Sequence, residues 1–297
     1  MAVAIRTKDG ETVKTGTDEW KDSVPDVQAV NLIKVKAGSN TMKSFQGDQF
    51  NPSSVTVTLN RGWNWLGYPL DQALVLTDAF VYLNVEEGDY IFGLDQGFAE
   101  FVNGNWSGDL KVLKPGHGYM YKSVSQKSFV YGNVQTLNPA AVEVDLMPAN
   151  IPYSVNAHAY PDMMAVTALV MDGDEQASES RFVIAAFAGD ECRGIGKHVD
   201  GTVRISVYGD NADELTFKAI EIETGKEFSI TEKAAFTPDV IGSQASPVVL
   251  NFDIPSGVES VAGSREAKSA FNLKGQMVDP ESAGGGIFII DGSLILK

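Results

Sequence analysis

The sequence predicts an all-β protein: tandem β-sandwich-like modules with one short helix, followed by a small C-terminal β segment. Three observations carry that expectation. Apolar and polar residues alternate over short runs, as in Val55-Thr56-Val57-Thr58-Leu59 and Val203-Arg204-Ile205-Ser206-Val207, which is the period of a strand with one buried and one wet face. Glycine is abundant, 29 of 297 residues, and often falls between such runs, where tight turns need it. Helical patterning is scarce, and the best candidate is the short stretch 77–83 with Thr77 as its N-cap.

Taken in order, residues 1–30 are polar and weakly patterned, and Asp18, Glu19, Lys21, Asp22, Ser23 and Pro25 read as a linker. A β module is expected over 31–138. Leu32 and Val35 flank a strand-like run, and Val55 begins a half-buried strand. Asn60-Arg61-Gly62 then turns into Trp63-Asn64-Trp65-Leu66-Gly67-Tyr68-Pro69. The two tryptophans are two apart, so a strand points both to one face. Further short strands are expected near 90–92, 99–102, 110–113 and 118–122, with Asn103-Gly104 as a hairpin turn.

The stretch 137–152, with Pro139 and Pro148, reads as a boundary. A sandwich module is expected over 139–253. Phe182-Val183-Ile184-Ala185-Ala186-Phe187 is continuously apolar, as in a strand buried on both faces. Val203, Ile205 and Val207 mark the inner face of a strand whose Arg204 and Ser206 face water. Asp172-Gly173-Asp174 and Thr224-Gly225 are turns, and residues 248–252 supply a last strand. The tail, 254–297, carries two strand-turn units around Phe271 and Ile287, and a third strand is expected at 293–296.

Charge and composition exclude several function classes. With 23 Lys+Arg against 39 Asp+Glu the formal charge is −16, a surface that repels nucleic acid phosphates and anionic membranes. No run approaches the roughly 18 apolar residues of a membrane span, so no membrane insertion is expected. The lone Cys192 allows neither an intramolecular disulfide nor a Cys-x-x-Cys zinc site. Residues 1–10 hold no apolar targeting core, and the mature part of an exported protein would read the same way.

An internal echo is visible. Ile33-Lys34-Val35 followed by Phe45-Gln46-Gly47 resembles Tyr121-Lys122-Ser123 followed by Phe129 and Gly132, with Lys34 set against Lys122 and Phe45 against Phe129. It points to residues 31–60 as the end of one module copy and 61–135 as the body and end of another, within a longer modular protein.

Several motifs carry a family resemblance. Gly62-Trp63-Asn64-Trp65-Leu66-Gly67-Tyr68, Phe98-Ala99-Glu100-Phe101, Trp106-Ser107-Gly108 and Pro115-Gly116-His117-Gly118-Tyr119-Met120-Tyr121-Lys122 resemble a repeat of large Bacteroidetes surface proteins. Ile184-Ala185-Ala186-Phe187-Ala188-Gly189-Asp190-Glu191-Cys192-Arg193-Gly194 and Val207-Tyr208-Gly209-Asp210 resemble the module that follows it there. In the tail, Phe271, Leu273, Gly275, Gln276, Gly286, Ile287, Phe288 and Lys297 resemble the sorting segment of type IX secretion cargo. The resemblance implies an exported, outer-membrane-associated or extracellular β-sandwich protein with an adhesion or spacer role. It implies no catalytic residues.

The candidate ligand-binding residues are Trp63, Trp65, Trp106, Tyr119 and Tyr121, as an aromatic platform for sugar rings or for another surface protein. The competing reading is that the same rings pack the core of a small β module. Acidic turns at Asp172/Asp174/Glu175, Asp190/Glu191 and Asp210/Asp213/Glu214 lack the spacing of a calcium loop. His117, His158 and His198 lie about forty residues apart and match no zinc spacing. Cys192, six residues before His198, is the best nucleophile candidate, set against the reading of a small buried hydrophobe. No P-loop, Rossmann or Gly-x-Ser-x-Gly fingerprint occurs. The expectation is therefore a non-catalytic surface protein without metal or cofactor, with glycans or other surface proteins as partners. A carbohydrate-binding module and an enzyme of unrecognised type are the alternatives.

Overall fold

The computed structural model describes residues 2–14, 19–21, 28–39, 51–132, 151–210 and 212–252, together with tail strands within 270–296. Two units separate by their contacts, Met1–Asp253 and Ile254–Lys297.

Three strands open the first unit: β1 (Ala2–Thr7), β2 (Gly10–Val13) and β3 (Lys34–Ala37), in the order β2-β1-β3. Residues 2–13 of the polar lead thus form a hairpin, whereas Asp18, Asp22, Ser23 and Pro25, which read as a linker, lie outside the described residues. The turn residues Lys8-Asp9 bring Thr7 opposite Gly10, and Thr7 Oγ1 accepts from Asp9 N (3.3 Å). Such local bonding lets a polar segment keep a strand pair.

The next strands are β4 (Thr56–Leu59), β5 (Gly62–Gly67), β6 (Leu74–Val75), β7 (Tyr90–Gly93) and β8 (Gly97–Val102). They are followed by β9 (Asn105–Gly108), β10 (Val112–Leu113), β11 (Gly118–Ser123) and β12 (Lys127–Val130). The main sheet runs β5-β11-β7-β8-β9, with β4–β12 and β6–β10 as two-stranded flanks. Asn103 and Gly104 form the β8–β9 turn with φ of 53° and 74°, the conformation that favours Asn-Gly. Glu87 fastens this turn by accepting from both backbone amides, at 2.9 and 2.8 Å. The expected helix shrinks to α1 (Leu76–Ala79), capped at Val75, and Thr77 lies inside it. Leu59, Leu66, Leu74, Phe80, Leu113, Phe129 and Tyr131 form the core beneath the sheet.

The second set comprises β13 (Asp162–Asp172), β14 (Glu175–Gln176), β15 (Phe182–Ala188), β16 (Glu191–Val199) and β17 (Thr202–Gly209). It ends with β18 (Glu214–Glu221), β19 (Glu227–Ala235), β20 (Val240–Ile241) and β21 (Val248–Phe252). They run β14-β13-β17-β16-β15-β18-β19 as one curled sheet, and β20 and β21 pair with β13 in parallel. Most of the expected boundary at 137–152 lies outside the described residues. The apolar run of β15 is buried at every position from Phe182 to Phe187, as its composition predicts. β17 departs from expectation: Arg204, placed by its alternation on a wet face, is among the largest fully buried side chains.

Strands β1, β2 and β3 repeat part of the module that follows. Ile5 pairs with Thr12 and Val35, as Ile91 pairs with Ala99 and Tyr121. Arg6 faces Glu11 and Lys34, as Phe92 faces Phe98 and Met120. The bridge Lys14–Trp20 matches Phe101–Trp106. The offset is 86 residues in β1 and β3 (91 − 5) and 87 in β2 (99 − 12), and it sets Lys36, not Lys34, against Lys122. The register therefore does not bear out the Lys34–Lys122 match; the repeat it shows begins at β1 and puts Lys36 in that place, and Phe45 lies outside the described residues.

In the second unit β22 (Ala270–Asn272), β23 (Met277–Val278), β24 (Ile287–Ile290) and β25 (Ser293–Leu296) form an antiparallel sheet in the order β23-β22-β24-β25.

Candidate functional site

Pairing of β5 with β11 sets Trp63 opposite Lys122, Asn64 opposite Tyr121 and Trp65 opposite Met120. Strand alternation sends Trp63 and Trp65 to one face, as their spacing requires, and sends Tyr119 and Tyr121 to the opposite face.

That opposite face is the core. Tyr119 and Tyr121 are 1% and 0% exposed, so neither belongs to a ligand platform. Tyr121 Oη donates to Asp89 Oδ2 (2.8 Å), and Tyr119 Oη accepts from the amide of Lys114 (2.7 Å). Burial pushes both phenols above the usual tyrosine range. Trp106 is half-buried and packs edge-on against Phe101 and Tyr121, with ring centroids 5.4 and 6.3 Å away.

Trp63 and Trp65 are half-buried and engaged by the chain itself. Trp63 packs on Phe92 with centroids 4.8 Å apart, under Lys122 Nζ at 5.6 Å. It adjoins a cluster that also holds Met163, Ala165 and Tyr208 of the sandwich. Trp65 lies beneath Lys34 Nζ (4.8 Å) and Arg6 Cζ (5.8 Å). Both of these cations pair with Asp162, Lys34 at 3.1 Å and Arg6 at 3.3 Å. Burial lowers the Lys34 ammonium from its ordinary value, against the pull of Asp162. Lys122 continues to Asp239 at 2.6 Å. The aromatic face of β5 is thus a joint between module and sandwich.

The centre of that joint is polar. Arg204 Nη1 donates to Glu100 Oε2 (3.2 Å) and Thr167 Oγ1 (2.7 Å), and Nη2 donates to Gln244 Oε1 (2.8 Å) and Ser107 Oγ (3.3 Å). Glu100 Oε2 also accepts from the amide of Gln244 (2.8 Å), and Ser107 Oγ donates to Asp200 Oδ2 (2.6 Å). Arg204 and Glu100 are 1% and 4% exposed. Charge buried this deeply persists only when paired and hydrogen-bonded. The sequence placed Arg204 on a wet face and gave Glu100 no role of its own. The available signal was Glu100 itself, a carboxylate between Ala99 and Phe101 in an otherwise apolar strand.

The remaining candidates do not converge. Cys192 is buried with its Sγ donating to Gly194 O (3.6 Å), and burial pushes the thiol up. His198 sits on the same strand six residues on, about 20 Å away at ordinary strand rise, and its Nε2 lies 3.0 Å from Phe182 O. His117 is half-buried beside Pro115 O, and His158 is exposed. Among the described residues, no group of three or more His, Cys, Asp or Glu is placed to hold a metal ion. No helix among them is long and apolar enough to cross a membrane. No protein family, curated protein or solved structure matches this chain.

Proposed function

We propose that this chain is a non-catalytic modular protein, secreted or displayed at a cell surface, with a spacer, adhesive or interaction role. One observation carries the reading: its most distinctive sequence feature, the Gly-Trp-Asn-Trp strand, is spent on joining two β modules. Aromatic rings and a buried ion pair placed at a joint serve fixed geometry between modules, which is what a spacer needs. The resemblance to exported surface proteins and the charge of −16 are consistent with it.

The test is surface labelling of host cells that carry an epitope-tagged chain. Labelling of intact cells, or tag in the medium, is the expected result. Tag confined to the cytoplasmic fraction overturns the proposal. A glycan array separates the two non-catalytic readings. Glycan binding that Trp63→Ala abolishes, with thermal stability unchanged, would replace the spacer reading with a carbohydrate-binding one.

A further inference from the structure

In the complete module, β11 is an interior strand. Its one edge pairs with β7 and its other with β5, the Gly-Trp-Asn-Trp strand. In the partial copy, β3 holds the position of β11 and β1 that of β7, in matching register. Among the described residues no strand takes the position of β5, and β3 ends its sheet. Val35, at the position of Tyr121, is 49% exposed. A bare edge of backbone donors and acceptors is a template for another strand.

We propose that the outer edge of β3 receives, in antiparallel pairing, an extended Gly-Trp-Asn-Trp-Leu-Gly segment of the β5 kind, carried by another repeat unit. The register follows from the complete copy. The incoming Asn lies opposite Val35, its first Trp opposite Lys36 and its second Trp opposite Lys34. The side chains agree with that placement. Lys122 lies over the ring of Trp63 in the complete module, and Lys36, its counterpart, is an exposed cation at the matching edge position. Backbone pairing supplies affinity and the cation–π contact supplies selectivity, as in strand addition generally. The inference stands on strand register alone and does not depend on where the protein resides.

The test is hydrogen exchange of the full chain with a synthetic peptide of residues 60–68. Saturating peptide is expected to slow exchange at Lys34–Ala37 at least tenfold and to leave Gly118–Ser123 unchanged. The same peptide carrying Asn64→Pro, which cannot complete the ladder, is expected to protect nothing. Failure of the parent peptide to protect Lys34–Ala37 overturns the proposal, and so does equal protection by the proline peptide. Protection of those amides without peptide, growing with protein concentration, also overturns it, because a second copy of the chain is then the occupant.

Discussion

Arg204 Nη1 lies 3.2 Å from Glu100 Oε2, across 104 residues of sequence and the joint between two β modules. The pair joins the Phe98-Ala99-Glu100-Phe101 strand to the centre of the sandwich sheet. Arg204→Ala leaves Glu100 buried and uncompensated, and about 3–5 kcal/mol of stability should be lost in a urea titration. The Arg204→Met, Glu100→Met double variant, which buries no charge, should recover most of that loss. Additive losses in the double variant would show that the pair is not coupled.

Gly67 has no room for a side chain. A β-carbon there would meet Ala29 O at 2.6 Å and Asn31 N at 2.9 Å, both backbone atoms. The close approach lets Gly67 N donate to Val30 O (2.8 Å), which docks the 28–31 connection onto β5. Gly67→Ala should cost about 1–3 kcal/mol in the same titration, the usual range for overpacking. An unchanged denaturation midpoint would mean that the connection is free to move aside.

Cys192 should resist alkylation. Burial raises its thiol, so little thiolate exists at pH 8, and the sulfur is enclosed as well. Iodoacetamide should label the native chain at least tenfold more slowly than the urea-unfolded chain. Comparable rates would restore the thiol as a reactive group.

Acid should weaken the first module through Glu86. Its carboxylate is held below the ordinary glutamate range by the Lys127 ammonium at 2.6 Å and then by the Ser125 hydroxyl. The folded-state value lies below the unfolded one. The contribution is therefore full above the ordinary range and is lost as pH falls through the lowered value. Melting temperatures followed from neutral pH to about pH 3 should show Glu86→Gln less stable than the parent at neutral pH, with the gap closing in acid. A gap that stays constant would exclude Glu86 as a titrating contributor.

Short-range chemistry was legible in the chain from the start. The alternation in β4, the Asn103-Gly104 turn and the unbroken apolar run of β15 state their conformation within a few residues, because turn geometry and strand period are local. The polar β1–β2 hairpin was less legible, since its few apolar residues leave the period faint, and its repeat emerges only from the pairing register.

What the sequence by itself determined was the β class, the principal turns and the tryptophans' common face. Tertiary structure alone decided what that face meets. The alternation of β17 marks Arg204 as lying opposite the apolar side, but a strand pattern cannot say whether water or another module covers that side. Glu100 covers it, from a distant strand, and of the rings that read as a platform for a ligand, Tyr119 and Tyr121 went into the module core and Trp63 onto the sandwich cluster. Burial is a sum over contacts remote in sequence, so it is settled only when the whole fold is assembled.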